Sequence, residues 1–296
     1  MVDAATGGLR SASARPGDEE LPAAEQVLER APGENFSVAS LILGRETRRH
    51  LLAIYGYARL VDELGDSVAG DRLAVLDAFE DDLDRVFEPA GEPHHPILRS
   101  LRPTVRALDL PRGPFTRLLE ANRLDQQKAS YASYEELEAY CDLSANPVGE
   151  LVLHVFGAAT PDRIALSDRV CTALQLAEHW QDVAEDRAAG RVYLPADDME
   201  RFGVERDELL PGPTPDAVRA LLAFEVDRAH RLLDGGAPLV GRLSGRARIA
   251  VAGYVGGGRA ALDAIAASAY DVLPGPPRAG KLARVRATLL TLLRAH

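Results

Sequence analysis

From Pro22 to the C-terminus, apolar side chains recur every three or four residues, the spacing of one face of an α-helix. Leu52, Tyr55, Leu60 and Val61 mark one such stretch, and Leu174, Leu176, Ala177, Trp180 and Val183 mark another. Nowhere is the alternation of a half-buried strand sustained, and no fixed-period repeat is present. The pattern breaks at short Pro/Gly clusters: Glu88 to Pro96, Pro111 to Pro114, Pro211 to Pro215, Asp234 to Pro238 and Pro274 to Gly280. These breaks predict about eight to ten helices joined by short loops. None of the loops is long or biased enough to be a linker. The economical reading is a single all-α domain over residues 21–296, with residues 1–20, rich in Ala, Gly, Ser and Pro, as a disordered leader.

Two of the predicted helices carry acids in apolar surroundings. Leu51 to Asp66 ends in Asp62-Glu63-Leu64-Gly65-Asp66, and Cys171 to Ala189 contains Asp182-Val183-Ala184-Glu185-Asp186. Aspartates four residues apart leave a helix on the same face. Helices that are apolar on more than one face are interior helices, where carboxylates are costly unless a cation compensates them. Two such faces opposed across a bundle suit Mg²⁺, which takes hard oxygen ligands and shares its shell with phosphates, and through it a diphosphate. An acidic pair alone says little in a chain with 45 acidic residues. The run Asp77 to Asp84 is denser still, lacks matching flanks, and is read as surface. Glu63 and Glu185 are read as supporting or surface groups.

The net charge of −11 argues against nucleic acid as a partner and against broad adhesion to anionic lipid, while leaving room for a local basic patch. Cys141 and Cys171 form no CxxC and are read as buried thiols. No apolar run reaches the roughly 18 residues of a membrane span, and the N-terminus has no apolar signal core, so a cytoplasmic location is expected. His50 and His154 read as ordinary helical histidines. Lys281 to His296 is basic and amphipathic, either a terminal helix docked on the bundle or one resting on a membrane surface.

Words around the acidic pairs carry a resemblance. Phe36-Ser37-Val38-Ala39-Ser40 comes first, then Tyr55, Arg59, Asp62 and Asp66, then Tyr140 to Gly149. Gln175-Leu176 leads to Asp182 and Asp186, followed by Arg191-Val192-Tyr193-Leu194-Pro195, Tyr254 and Tyr270-Asp271-Val272-Leu273. In this order, from Glu34 to about Arg286, the chain resembles the squalene/phytoene synthase family. The resemblance implies an isoprenoid synthase helical bundle with the acidic motifs facing each other across a central cavity. Its members join prenyl diphosphates head to head. Ser144-Ala145-Asn146-Pro147-Val148-Gly149 and His179-Trp180-Gln181-Asp182-Val183 look like the hopanoid-pathway hydroxysqualene synthase branch. There presqualene diphosphate and water give hydroxysqualene and diphosphate. The wider family usually has Arg where this chain has Gln181.

The resemblance implies Mg²⁺ held by Asp62, Asp66, Asp182 and Asp186, with Glu178 standing where relatives often have an Asn ligand. Tyr55, Arg59, His179 and Gln181 become candidate catalytic groups: Arg59 toward the diphosphate, the other three toward a held water. Phe36, Ser37, Val148, Gly149, Arg191, Tyr193 and Tyr254 become candidate substrate-binding residues; Leu151, Phe156 and Leu176 are further plausible cavity walls. The expected substrate is presqualene or farnesyl diphosphate, with membrane contact of the last helix as an aid to product release. Two departures stand out. Pro274-Gly275-Pro276-Pro277 intervenes where relatives carry paired basic residues shortly after the YDVL-like word, leaving Arg278 and Lys281 there and putting a phosphate role in doubt. Gly256-Gly257-Gly258 inside an expected helix suggests a kink. The rival readings are coupling of two farnesyl diphosphates, a terpene cyclase on the same bundle, and a non-catalytic assembly protein. The last is disfavoured by the four retained aspartates.

Overall fold

Residues 43–294 are described by the structure, a computed structural model; the expected leader, and Phe36 and Ser37, lie outside them. Among the described residues there are twelve α-helices and two 3₁₀ segments, with no strand beyond a single bridge between Ser130 and Val192. The helices are α1 (Arg45–Asp66), α2 (Arg72–Phe87), α3 (Pro96–Leu108), α4 (Gly113–Asp125), α5 (Tyr134–Ser144) and α6 (Asn146–Val155). They continue as α7 (Pro161–Gln181), α8 (Val183–Ala188), α9 (Ala196–Phe202), α10 (Asp216–Gly236), α11 (Gly245–Ala267) and α12 (Lys281–Arg294).

The count exceeds the expected eight to ten partly because the helix carrying the second acidic pair is divided at Asp182, where φ is −103° and ψ 18°. Hydrogen bonds from Asp182 N to the Glu178 carbonyl (3.0 Å) and from Asp186 N to the Asp182 carbonyl (2.8 Å) carry the turn through that division. Asp182 and Asp186 therefore remain one helical turn apart. Local chemistry sets other ends. Asp71 caps α2 by accepting from Ala74 N, Pro96 opens α3 where no backbone donor is needed, and Ser133 caps α5. At the expected break Asp234 to Pro238 the chain does not open into a loop: α10 runs to Gly236 and passes directly into the 3₁₀ segment Ala237–Arg242.

Two apolar clusters hold the bundle. The first joins α1 to α4 through Leu60, Leu64, Leu76, Leu83, Leu98 and Phe115. The second gathers α7, α10 and α11 around Trp180, Leu176, Leu222, Leu233, Val255 and Leu262. Each such fully buried side chain contributes on the order of 1.5–3 kcal/mol. The first acidic pair hangs from the first cluster and the second pair from the second.

Within the acidic run Asp77 to Asp84, which is largely at the surface as expected, Asp82 departs from that reading. Asp82 is buried and accepts from His94 N and His95 N (2.8 Å each), fastening α2 to the start of α3. Arg123 and Arg112 of the α4 region pair with Asp77, Glu80 and Asp84. Burying the Asp82 carboxylate works because backbone donors are in place. α11 runs as an unbroken helix through the glycine run. A Cβ on Gly256 would lie 2.5 Å from Thr288 N of α12, and one on Gly258 would lie 2.5 Å from Leu174 of α7. Both glycines permit helices to approach closely; Gly257 faces open space. His50 is buried with Nδ1 2.9 Å from Thr104 Oγ1, and both cysteines are free thiols, as expected.

Candidate active site

On α1, Tyr55, Arg59, Asp62 and Asp66 follow one another at steps of four, three and four, so a single helix stripe carries all four. α4 ends beside it and adds Asn122, whose Nδ2 lies 3.5 Å from Asp62 Oδ1, and Asp125. The α7–α8 junction adds His179, Asp182 and Asp186. The segment after α8 is pinned by Arg191 N to the Asp186 carbonyl (2.8 Å) and Val192 N to the Ala129 carbonyl (2.8 Å). That pinning aims Arg191 back at α1, where its Nη2 donates to Asp66 Oδ1 at 2.9 Å. The first acidic pair is thus tied directly to the chain that follows the second.

Asp125 shows the same convergence electrostatically. Burial pushes its carboxyl up to about 6; Tyr140, donating to Oδ2 at 2.9 Å, and Arg191 pull it down, while Asp66 and Asp186 push it further up. One carboxylate feels both motifs. Its Oδ1 is buried without a partner among the described residues. Asp62 is exposed to solvent yet crowded by protein, and desolvation raises it to about 7 against the pull of Asn122 and Arg59. Asp182 is raised too, first by burial and then by Glu185 and Asp186, with Arg278 and His179 opposing.

Arg59 makes no ion pair with any described residue, and its Nε is buried without a partner. The structural salt bridge to Asp62 or Glu63 that would explain it away is absent among the described residues. Arg278 lies within electrostatic reach of Asp182, so the proline-rich segment does bring a cation to the site. Gln181 secures that segment, its Nε2 donating to the Pro277 carbonyl. His179 is buried and stacked on Tyr193 with ring centroids 3.6 Å apart. Its Nε2 lies 3.2 Å from Gln175 Nε2 and its Nδ1 3.7 Å from Asp186. A cleft is lined by His179, Val183, Asp186, Val192 and Tyr193. Tyr131 and Tyr140 extend the aromatic group around Tyr193. Glu178 is exposed one turn before Asp182.

The apolar candidates sit further back. Tyr254 packs with Leu43, Leu51, Val152, Val155 and Phe156, and burial beside Cys171 raises its hydroxyl to about 12. Leu51 and Cys171 each lie eleven residues before Asp62 and Asp182, roughly 16 Å along a helix at 1.5 Å per residue. These apolar residues therefore lie about three helical turns from the acidic pairs. Val148 and Leu151 belong to the cluster around α1. Gly149 is a packing residue in this geometry: a side chain there would meet Ser167 and Cys171 of α7, so it brings α6 and α7 together and reaches toward neither acidic pair. Asn122 and Asp125 were not legible in the sequence. An Asp between Arg123 and Lys128 reads as a surface ion pair, and only the fold turns it inward.

Comparison with known proteins bears on the family and the fold. Residues 30–290 match the squalene/phytoene synthase family. The chain is 32% identical to a 15-cis-phytoene synthase of Synechocystis, over 81% of this chain and 74% of the other. It is 30% identical to a phytoene synthase of Mycobacterium tuberculosis, over 90% and 91%. Among solved structures, squalene synthase HpnC from Alicyclobacillus acidocaldarius superposes with a TM-score of 0.77 at 45% identity, over 84% of this chain and 93% of that one. A dehydrosqualene synthase shares the fold at 23% identity, with a TM-score of 0.82 over 92% and 96%. By its sequence, its helical architecture and its paired acidic motifs, the chain belongs to the squalene/phytoene synthase family.

Proposed function

We propose that this chain is a Mg²⁺-dependent prenyl diphosphate enzyme that ionises presqualene diphosphate and directs water onto the resulting cation, giving hydroxysqualene and diphosphate. The observation that carries the reading is the convergence of both aspartate pairs on Asp125 and Arg191, beside an arginine, Arg59, whose Nε has no partner among the described residues. Carboxylates gathered this way are suited to cations, and a partnerless guanidinium donor is suited to an anion.

The donor set fits Mg²⁺. Asp62, Asp66, Asp182 and Asp186 supply hard oxygens, with Glu178 at the rim. Among the described residues no three acidic, His or Cys side chains close on one point. Mg²⁺ tolerates such open sites, because it keeps waters and takes substrate phosphates as ligands. Bound there, it would neutralise the leaving diphosphate as a Lewis acid. Arg59, Arg191 and Arg278 would orient the diphosphate oxygens. Tyr55, Val148, Leu151, Phe156 and Leu176 would exclude bulk water from the cation, with Tyr254 at the far end of the apolar chain. Tyr55, His179 or Gln181 would hold the one water that attacks. For Gln181 the hydrogen bond to Pro277 adds a second part, seating Arg278 beside Asp182.

The choice of branch rests on Gln181 and on the Ser144-to-Gly149 word, and 45% identity to a solved squalene synthase supports a squalene-type over a phytoene-type product. A second reading, head-to-head coupling of two prenyl diphosphates, is favoured by the phytoene synthases matched at 30–32%. Product analysis of purified enzyme with Mg²⁺ separates them. Hydroxysqualene from presqualene diphosphate, with farnesyl diphosphate left intact, is the expected result. Consumption of farnesyl diphosphate would move the chain to the coupling reading. Inertness toward both would favour a non-catalytic role.

A further inference from the structure

α12 docks on the bundle with the wrong face for an ordinary terminal helix. Its inward side is mostly small and polar: Ala287 and Thr291 are buried and Thr288 sits against Gly256, with Leu292 at the margin as the one large apolar side chain packed on the core. Arg259 donates to Thr291 Oγ1 at 3.2 Å, and Arg248 to the Leu292 carbonyl at 3.2 Å. Its outward side carries Leu282 (87% exposed), Val285 (50%), Leu289 (55%) and Leu293 (67%). At about 100° per residue these four fall within an arc of about 80°. Leu290 lies further round the helix, beyond Arg286. Five of the eight exposed large apolar side chains among the described residues lie on this one helix, which is concentration and not scatter.

The borders of the stripe are cationic. Lys281 flanks it on one side, Arg286 and Arg294 on the other, and the helix contains no Asp or Glu although the chain carries a net charge of −11. We infer that the outward face of α12 is an interfacial membrane contact, laying Leu282, Val285, Leu289 and Leu293 into the acyl boundary of an anionic bilayer with Lys281, Arg286 and Arg294 at the headgroups. Such a helix lies in the plane of the interface, its apolar row inserted and its long cationic side chains reaching outward along the border. The charge pattern selects this occupant over a second copy of the chain. A two-fold contact pairs a patch with itself and would set the same cations against each other. Docking on α11 already orders the helix, so binding need not fold it.

The test uses the full chain with vesicles of phosphatidylcholine alone and of phosphatidylcholine mixed with phosphatidylglycerol, in a co-sedimentation assay. Binding to the anionic vesicles is expected to be roughly tenfold stronger or more, and to weaken with salt. Val285→Glu combined with Leu289→Glu, at exposed positions that leave the core untouched, should lower it at least as much with unchanged helical content. Absence of binding, equal binding to both vesicles, or an unaffected double variant would overturn the inference. So would two other outcomes. Light scattering could show a dimer that the double variant dissolves, assigning the stripe to a second copy. Alternatively, vesicle binding could arise only once residues 1–42, with their seven acids and three bases, are removed.

Discussion

Arg191 donates to Asp66 at 2.9 Å across a sequence separation of 125 residues, joining the end of one acidic helix to the segment that follows the other. The two side chains are partly exposed, so as a contribution to stability the pair is worth about 0–1 kcal/mol. Its consequence is positional: it fixes how far apart the two motifs stand.

Arg191→Met should therefore barely change the melting temperature while lowering kcat by roughly 100-fold, the scale seen when one oriented charge is removed from an ionising site. Arg191→Lys should recover part of the loss, since a point charge remains but the planar fork does not. Steady-state kinetics beside a thermal melt separates these effects. A large fall in melting temperature with unaltered kcat would make the pair merely structural.

The raised carboxyls give a pH prediction. Asp62 at about 7 and Asp125 at about 6, both raised first by burial, hold protons in the folded state that the unfolded chain releases near the ordinary carboxylate value of 3.8. Across that window the native state binds more protons, so their contribution to stability falls as pH rises toward 7. His50 and His95, lowered chiefly by burial, act in the opposite sense. Comparison with Asp62→Asn isolates the effect. Without Mg²⁺, the wild type should lose melting temperature relative to Asp62→Asn as pH rises from about 5 to about 8. Mg²⁺ should restore it at the upper end, where its ligands are ionised, and do little at the lower. A wild type that gains on the variant with rising pH in metal-free buffer would contradict the assignment.

Neighbouring glycines should respond in opposite directions. Gly256→Ala drives a methyl group into the Thr288 backbone, which cannot rotate away, and should cost about 1–3 kcal/mol. Gly257→Ala meets nothing within 4 Å and should stabilise α11 by up to about 1 kcal/mol. Denaturant melts of the two variants should bracket the wild type. Equal effects would mean that α12 does not sit where the structure has it.

Much of this was legible in the chain itself. Helical periodicity gave the all-α class, while Asp62, Asp66, Asp182 and Asp186 stood out as metal candidates through two acid pairs in apolar helix and the family words around them, not through spacing alone. What escaped depends on long-range contact. Asp125 and Asn122 look like surface residues until α4 is laid beside α1. Asp82 reads as part of a solvated face until the backbone donors of His94 and His95 are brought to it. Arg278 looked cut off by prolines, yet the loop folds back and is held by Gln181. The glycines of α11 suggested a kink because composition shows a missing side chain and not the neighbour that occupies its space.

The measurement closest to the central claim is calorimetric binding of inorganic diphosphate to wild type, Asp62→Asn and Asp182→Asn, with and without Mg²⁺. If the two pairs form one site, wild type should bind only with Mg²⁺. Each single substitution should weaken binding at least roughly tenfold and abolish turnover while helical content stays intact. Wild-type affinity in either variant, or binding that ignores Mg²⁺, would contradict the account.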